Sequence, residues 1–451
     1  MNAMTSRQPQ SEQQSITVIG AGLAGCEAAW QLAERGVFVR LYEMRPHQMT
    51  PAHKTGGFAE LVCSNSLRAA SVENAVGLVK EEMRCLDSLI MRAADATKVP
   101  AGAALAVDRT LFSQTIEQVL SQHPKIEIMR EEVTQIPEGT VIVAAGPLVS
   151  DALSQEIVYL TGQTHLFFHD AIAPVVSSDS IDFSKAFFAS RYDKGEPSER
   201  EGDYINCPMD REQYLDFYRA IVDAERYPLK NFETPKTFEG CMPIETMAER
   251  GVDTMRYGPL KPVGLTCPDG TEPYAVVQLR QDDAAATMYN LVGFQTRLRQ
   301  GEQERVFRLI PGLEHAEFLR FGQMHRNTYL DSPKLLNSNL SLKTAPRIFF
   351  AGQITGVEGY VESAACGLAA AIYAAAQLQQ KSIASFPQNT ALGSLIRYIT
   401  TPNAKFQPMN ITFGIMPPLQ ERIKNKKEKN AQLARRALEG LKEWLNGSAV
   451  E

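Results

Sequence analysis

The chain has 451 residues, 44% of them hydrophobic and 22% charged, a composition that excludes a disordered chain, a collagen-like repeat and a small disulfide scaffold. Lys and Arg number 46 against 52 Asp and Glu, a formal balance of −6, so any contact with nucleic acid must come from a local basic patch rather than net charge. The seven cysteines are an odd number with no CxxC pair, which argues against a zinc knuckle or a thioredoxin-type motif.

Residues 1–14 are polar and Gln-rich, without the apolar core of a signal peptide, and no run of about 18 apolar residues is visible downstream. The sequence therefore reads as a cytoplasmic protein with reduced thiols and no membrane span. Residues 15–43 form a strand–helix–strand pattern: Ile16, Thr17, Val18 and Ile19, a glycine-rich turn, a helix with Ala28, Ala29 and Leu32 inward, then Val37, Val39 and Leu41 in alternation. The turn Gly20-Ala21-Gly22-Leu23-Ala24-Gly25 stands where a dinucleotide fingerprint belongs, and Glu43 follows Gly25 by 18 residues, at the end of the next strand. Glycines let the backbone approach a pyrophosphate, the helix amino end offers N–H groups and a positive dipole, and Glu43 can accept ribose hydroxyls.

A long loop over residues 44–70 carries Pro46, Pro51, Gly56, Gly57 and Cys63, and its length marks it as functional rather than a plain connection. Helical spacing of Val76, Val79, Met83, Leu86, Leu89 and Ile90 predicts one helix over residues 74–93. Residues 140–147 are too continuously apolar for an exposed strand and read as a central parallel strand ending at Gly146-Pro147. Over residues 165–326 aromatics cluster and prolines and charges break every apolar run, which marks an inserted domain.

The first pattern returns at Arg347-Ile348-Phe349-Phe350-Ala351-Gly352, followed by a small-residue helix through Ala364, Ala365, Gly367, Ala369 and Ala370. From Pro417 a Lys-rich helix (Lys424, Lys426, Lys427, Lys429) is expected to run to about Trp444. The expected fold is α/β: a doubly wound, FAD-binding Rossmann-like domain split in sequence into residues 1–164 and 327–451, with an inserted α+β substrate domain at 165–326. The second glycine cluster, Gly352-Gln353 through Gly359-Tyr360, favours FAD held along its length, because a late helix amino end can stabilise charge on a flavin.

Cys241 lies between Gly240 and Met242-Pro243, in a turn able to present a thiol. Cys63 precedes Ser64, Asn65, Ser66 and Arg68, polar groups able to lower a thiol pKa, although both cysteines also fit idle or buried thiols. Arg280, Arg297 and Arg299 are candidate forks for carboxylates or phosphates of a ligand, or else a solvated face. Tyr360 is placed to stack on a flavin or other ligand ring, or simply to pack. The histidines do not cluster with carboxylates at ligand spacing, so no metal is assigned.

Together, Gly20 to Gly25, the loop Phe58-Ala59-Glu60-Leu61-Val62-Cys63-Ser64-Asn65-Ser66-Leu67-Arg68, the segment Phe238-Glu239-Gly240-Cys241-Met242-Pro243-Ile244-Glu245, the stretch Val277-Gln278-Leu279-Arg280-Gln281-Asp282 with Gly293-Phe294-Gln295-Thr296, and Phe350 to Gln353 with Gly359-Tyr360 closely resemble the bacterial folate- and FAD-dependent tRNA uracil-5-methyltransferases. The resemblance implies that methylenetetrahydrofolate gives the carbon, that FAD and NADH or NADPH give electrons, and that C5 of the T-loop uridine of tRNA receives the methyl group. It also implies that Cys241 attacks uracil, since C5 is a poor nucleophile until a thiolate adds at C6, and that Cys63 serves beside the flavin. A relative that modifies the wobble uridine with the same cofactors, a flavin-bearing RNA-binding protein without turnover and a generic FAD monooxygenase are the alternatives.

Overall fold

The computed structural model describes residues 15–163, 166–191, 202–227, 242–404 and 406–448. Its main sheet has six strands in the order Ser341–Leu342, Ala345–Phe350, Thr140–Val143, Ser15–Ile19, Phe38–Tyr42 and Ile126–Met129. All neighbours are parallel except the short edge strand Ser341–Leu342. The first described strand, Ser15–Ile19, lies in the middle of this sheet and later strands add on both sides of it, the doubly wound order, so a crevice opens at the carboxyl ends of Ser15–Ile19 and Thr140–Val143, where the order reverses. Val141, Ile142 and Val143 are fully buried, as a central parallel strand covered on both faces requires.

Two helices cover the sheet beside that crevice, Leu23–Glu34 and Tyr360–Leu378. Small residues let them approach closely: a Cβ on Gly367 would lie 2.1 Å from the Ala24 carbonyl oxygen. Contrary to the sequence expectation of no membrane-length apolar run, Tyr360–Leu378 is long and apolar enough to cross a membrane by length and composition, with a mean hydropathy of 1.3. Its apolarity has another cause, because 89% of that window is buried inside the protein, between sheet and helix.

The chain leaves this domain along Leu166–Ala171 and returns along Met324–Tyr329, which pair antiparallel. Between them lies a second six-stranded sheet, ordered Phe187–Ala189, Tyr204–Met209, Ala275–Gln281, Met288–Leu291, Val175–Ser177 and Phe318–Arg320, with only antiparallel neighbours. The aromatic richness of this region fills its separate core, where Tyr214, Phe217, Phe294 and Phe307 are buried.

Three sequence expectations need correction. The helix expected over residues 74–93 is two helices, Ala75–Cys85 and Leu89–Ala96. Asp87 takes a left-handed conformation and Ser88 caps the second helix by accepting from the Met91 N–H, a local signal that continuous apolar spacing concealed. The loop after Glu43 ends earlier than expected, because Ser66–Ala69 is a strand in a small sheet with Ala104–Val107 and Lys98–Val99. The final helix is Lys426–Ser448, so Lys424 precedes it. Its face of Leu433, Ala434, Ala437 and Leu441 is buried, and Trp444 stacks on Phe386 with ring centroids 4.5 Å apart.

The helix pair makes a direct prediction. Gly367→Ala forces a methyl group into the Ala24 backbone and is expected to cost about 1–3 kcal/mol. The check is a lowered urea midpoint at unchanged m-value; an unchanged midpoint would show that the two helices can separate freely.

Candidate functional site

The crevice is a cleft bounded by both glycine turns: Gly20, Gly22 and Ala24 on one side, Gly352, Gln353 and Tyr360 on the other, with Glu43 and residues 144–150 along its length. The three glycines of the first turn meet different needs. Gly20 has φ +97°, a conformation side chains disfavour, and a Cβ on Gly25 would lie 1.7 Å from the Gly20 carbonyl oxygen, so that glycine permits close packing. Gly22 has an ordinary φ of −75° and a Cβ there would meet nothing within 4 Å, so nothing in the protein itself demands glycine at this position. No side chain caps the amino end of Leu23–Glu34, which leaves helix N–H groups and the positive dipole end for an anion.

Glu43 holds this turn from the next strand. One oxygen accepts from the Ala21 N–H at 2.9 Å, and the other accepts from Arg45 Nε at 2.8 Å. Burial by itself raises the Glu43 carboxyl, but the hydrogen bonds and charge of Arg45 outweigh it and hold the group below the ordinary carboxylate range. Arg45 also pairs with Glu60 at 3.2 Å, so one buried cation joins the acid of the fingerprint to the loop that carries Cys63.

That loop is gripped from three directions. Tyr360, at the start of the second helix, accepts on its hydroxyl from the Cys63 N–H at 2.7 Å and the Ser64 N–H at 3.3 Å, and burial pushes its phenol up. Asn65 donates to the carbonyls of Val107 and Gln281, one from each domain. Arg280 of the inserted sheet donates to Ser64 Oγ at 2.6 Å and Asn65 Oδ1 at 3.0 Å, and lies near enough to Cys63 for its charge to act on the thiol. The polar residues after Cys63 are thus spent on fixing the loop, and Arg68 pairs with the buried Glu362.

Two of the three arginines proposed as forks for an incoming anion are engaged inside the protein, and the third sits beside a surface acid. Arg280 is buried in the joint just described, Arg297 faces the buried Glu245, and the exposed Arg299 lies 3.5 Å from Glu225. Cys241 lies outside the described residues. Lys424, Lys426, Lys427 and Lys429 are exposed. Among the described residues no group of three or more His, Cys, Asp or Glu side chains is placed to hold a metal ion.

The family profile of glucose inhibited division protein A matches residues 15–382. A protein of Desulforamulus reducens named methylenetetrahydrofolate--tRNA-(uracil-5-)-methyltransferase TrmFO is 62% identical over 96% of this chain and 98% of its own length. One of the same name from Listeria monocytogenes is 58% identical over 95% of this chain and 98% of its own. The chain belongs to the TrmFO family. The fold is also that of Aquifex aeolicus GidA, with a TM-score of 0.67 at 17% identity, covering 96% of this chain and 74% of that one.

Sequence reading missed several groups that build the site of this TrmFO-family chain. Glu60 and Asp282 stood inside quoted motifs without a role; Asp282 takes both sides of the Arg109 fork, with Nε at 2.9 Å, while Arg109 also donates to the Leu61 carbonyl. Lys80 gave no signal beyond a lysine inside an apolar helical pattern. It is fully buried and donates to the carbonyls of Leu67, Arg68 and Ala69 at 2.7–3.1 Å, fixing the strand that follows the Cys63 loop.

Burial, and then the charges of Arg68 and Arg84, pull the Lys80 amino group down to about 7. An unfolded lysine keeps its ordinary pKa near 10.5, so between these values the unfolded chain binds more protons and this group's contribution to stability rises with pH. Measured by urea unfolding against Lys80→Met, wild type should gain up to about 1.4 kcal/mol per pH unit between roughly pH 7 and 9. A flat difference would mean that Lys80 does not change protonation in that window.

Proposed function

We propose that this chain methylates C5 of a uracil in tRNA, the T-loop uridine, with methylenetetrahydrofolate as carbon donor and with FAD and NADH or NADPH as the source of electrons. The observation that carries the cofactor assignment is Gly22: an unstrained glycine whose missing side chain would project into the cleft has a purpose only if something else occupies that space. Its position at an uncapped helix amino end fits a pyrophosphate, Glu43 fits ribose hydroxyls, and Gly352, Gln353 and Tyr360 fit the ring end. Bound there, FAD would supply two-electron chemistry.

The chain's own residues supply the rest. The Tyr360 hydroxyl and Arg280 keep the Cys63 loop at the Tyr360 end of the cleft, with the guanidinium close to the thiol. Cys241 is the nucleophile by resemblance: its thiolate forms a bond to uracil C6, which makes C5 nucleophilic, and leaves when the C5 proton is removed. Identity of 62% to a uracil-5-methyltransferase, against 17% to the GidA structure, favours this reading over wobble-uridine modification.

Two predictions test it. Gly22→Val should fold with stability within about 0.5 kcal/mol of wild type, since its side chain meets open space, yet retain at most roughly a tenth of the FAD released on denaturation. Full FAD occupancy in that variant would remove the cradle assignment. In the second, label from methylenetetrahydrofolate should appear at C5 of the T-loop uridine of unmodified tRNA. Cys241→Ala should keep flavin reduction but lose transfer and any adduct with 5-fluorouracil tRNA, whereas Cys63→Ala should change the flavin spectrum as well as abolish turnover. Retained transfer in a folded, FAD-replete Cys241→Ala protein would refute the nucleophile assignment.

A further inference from the structure

Carboxylates around the Cys63 loop already have cationic partners, while one cation beside them has no partner. Asp282 is held by both sides of the Arg109 fork, Glu362 by Arg68, and Glu43 and Glu60 by Arg45. Glu60 accepts in addition from the N–H groups of Lys54 and Thr55 at 2.8 and 3.0 Å.

Arg320 ends the edge strand Phe318–Arg320 of the inserted sheet, where pairing with Val175–Ser177 shifts register between Phe318 and Arg320. Its guanidinium is half-buried and faces the charges of Arg109, Asp282 and Glu60 and the phenol of Tyr360. Two of these, Glu60 and Tyr360, line the cleft. Yet no hydrogen bond or ion pair joins the Arg320 guanidinium to any described residue. Burial works against its charge, and Arg109 adds like-charge repulsion. A guanidinium has five donors in a planar fork and stays charged, and in the free protein those of Arg320 reach solvent rather than a protein acceptor, which leaves them open to a ligand.

We propose that Arg320 binds a carboxylate of the glutamate tail of the folate substrate, at the side of the cleft between the inserted sheet and the Cys63 loop. This rests on the folate reading above. A single recessed fork suits one planar carboxylate bound bidentately. A tRNA phosphate backbone would instead want several exposed cations, whereas the neighbouring Arg109 and Arg45 are already engaged by Asp282 and Glu60.

The test is equilibrium binding to the flavin-loaded protein of two probes, tetrahydrofolate and 6-methyltetrahydropterin, which has the pterin but no benzoylglutamate. Arg320→Gln should weaken tetrahydrofolate by about 10–100-fold, the loss of one charge-assisted bidentate contact, while binding 6-methyltetrahydropterin as wild type does. Arg320→Lys, which keeps charge but loses the fork, should fall between. Flavin content and melting temperature serve as folding controls for both variants.

Unchanged tetrahydrofolate affinity in Arg320→Gln, or equal weakening of both probes, would overturn the assignment. So would weakened tRNA binding with a salt dependence flattened by about one unit, because it would place a phosphate there instead. Wild-type protein that binds no tetrahydrofolate would overturn the functional reading itself, whereas wild-type binding with an indifferent Arg320→Gln overturns this inference alone.

Discussion

The hydrogen bonds of Arg280 to Ser64 and Asn65 are the joint on which the geometry of the cleft depends. They fasten the end of a fully buried strand of the inserted sheet to a loop of the nucleotide domain, across a sequence separation of 215 residues. The partners are neutral, so the guanidinium is desolvated without being neutralised, and its charge persists beside the Cys63 thiol. A carboxylate in place of Ser64 or Asn65 would give a firmer ion pair but would set a negative charge beside the Cys63 thiol. The joint therefore positions the loop by hydrogen bonds to neutral groups, at the cost of a desolvated charge.

Around that joint each domain contributes a second fastening. Asp282, two residues beyond Arg280, takes both sides of the Arg109 fork, and the Ala284 N–H donates to Asp108 at 2.8 Å. Gly102 donates to Asp203, and the Tyr204 hydroxyl to the Ala101 carbonyl. These contacts are polar where each domain core is apolar, so the two cores remain separate while the seam is specified by geometry. A polar seam is also one that can be loosened without exposing a hydrophobic core, which suits a cleft that must admit a large substrate.

The two glycine turns divide the cleft between them. At the first, a tight turn, an open position and a close packing contact fall on three successive motif glycines. At the second, Gly352 approaches so closely that a Cβ would lie 2.8 Å from the Ala24 Cβ. Bringing the turns together depends on the alanine-rich helix Tyr360–Leu378, whose small side chains allow the approach that Gly367 requires. The same helix presents the Tyr360 hydroxyl to the Cys63 loop, so core packing and site geometry are set by one element.

The sequence by itself determined what short-range physics determines. A strand leading into Gly20-Ala21-Gly22-Leu23-Ala24-Gly25, with Glu43 at the end of the next strand, specifies a nucleotide cradle because backbone sterics and helix-end electrostatics act within a few residues. The apolar run ending in Val143 likewise announced a buried parallel strand. The break between Ala75–Cys85 and Leu89–Ala96 escaped notice because a cap and a left-handed residue weigh more than periodicity. What Arg280, Arg68, Lys80 and Arg320 do was decided only by the tertiary structure. An arginine looks the same in sequence whether it meets Glu362, a pair of neutral side chains or nothing, and only the folded chain brings residues 68 and 362, or 65 and 280, within hydrogen-bonding reach. Long-range pairing costs chain entropy that no local pattern records, so the groups that build the cleft become legible only once that cost has been met by the two cores.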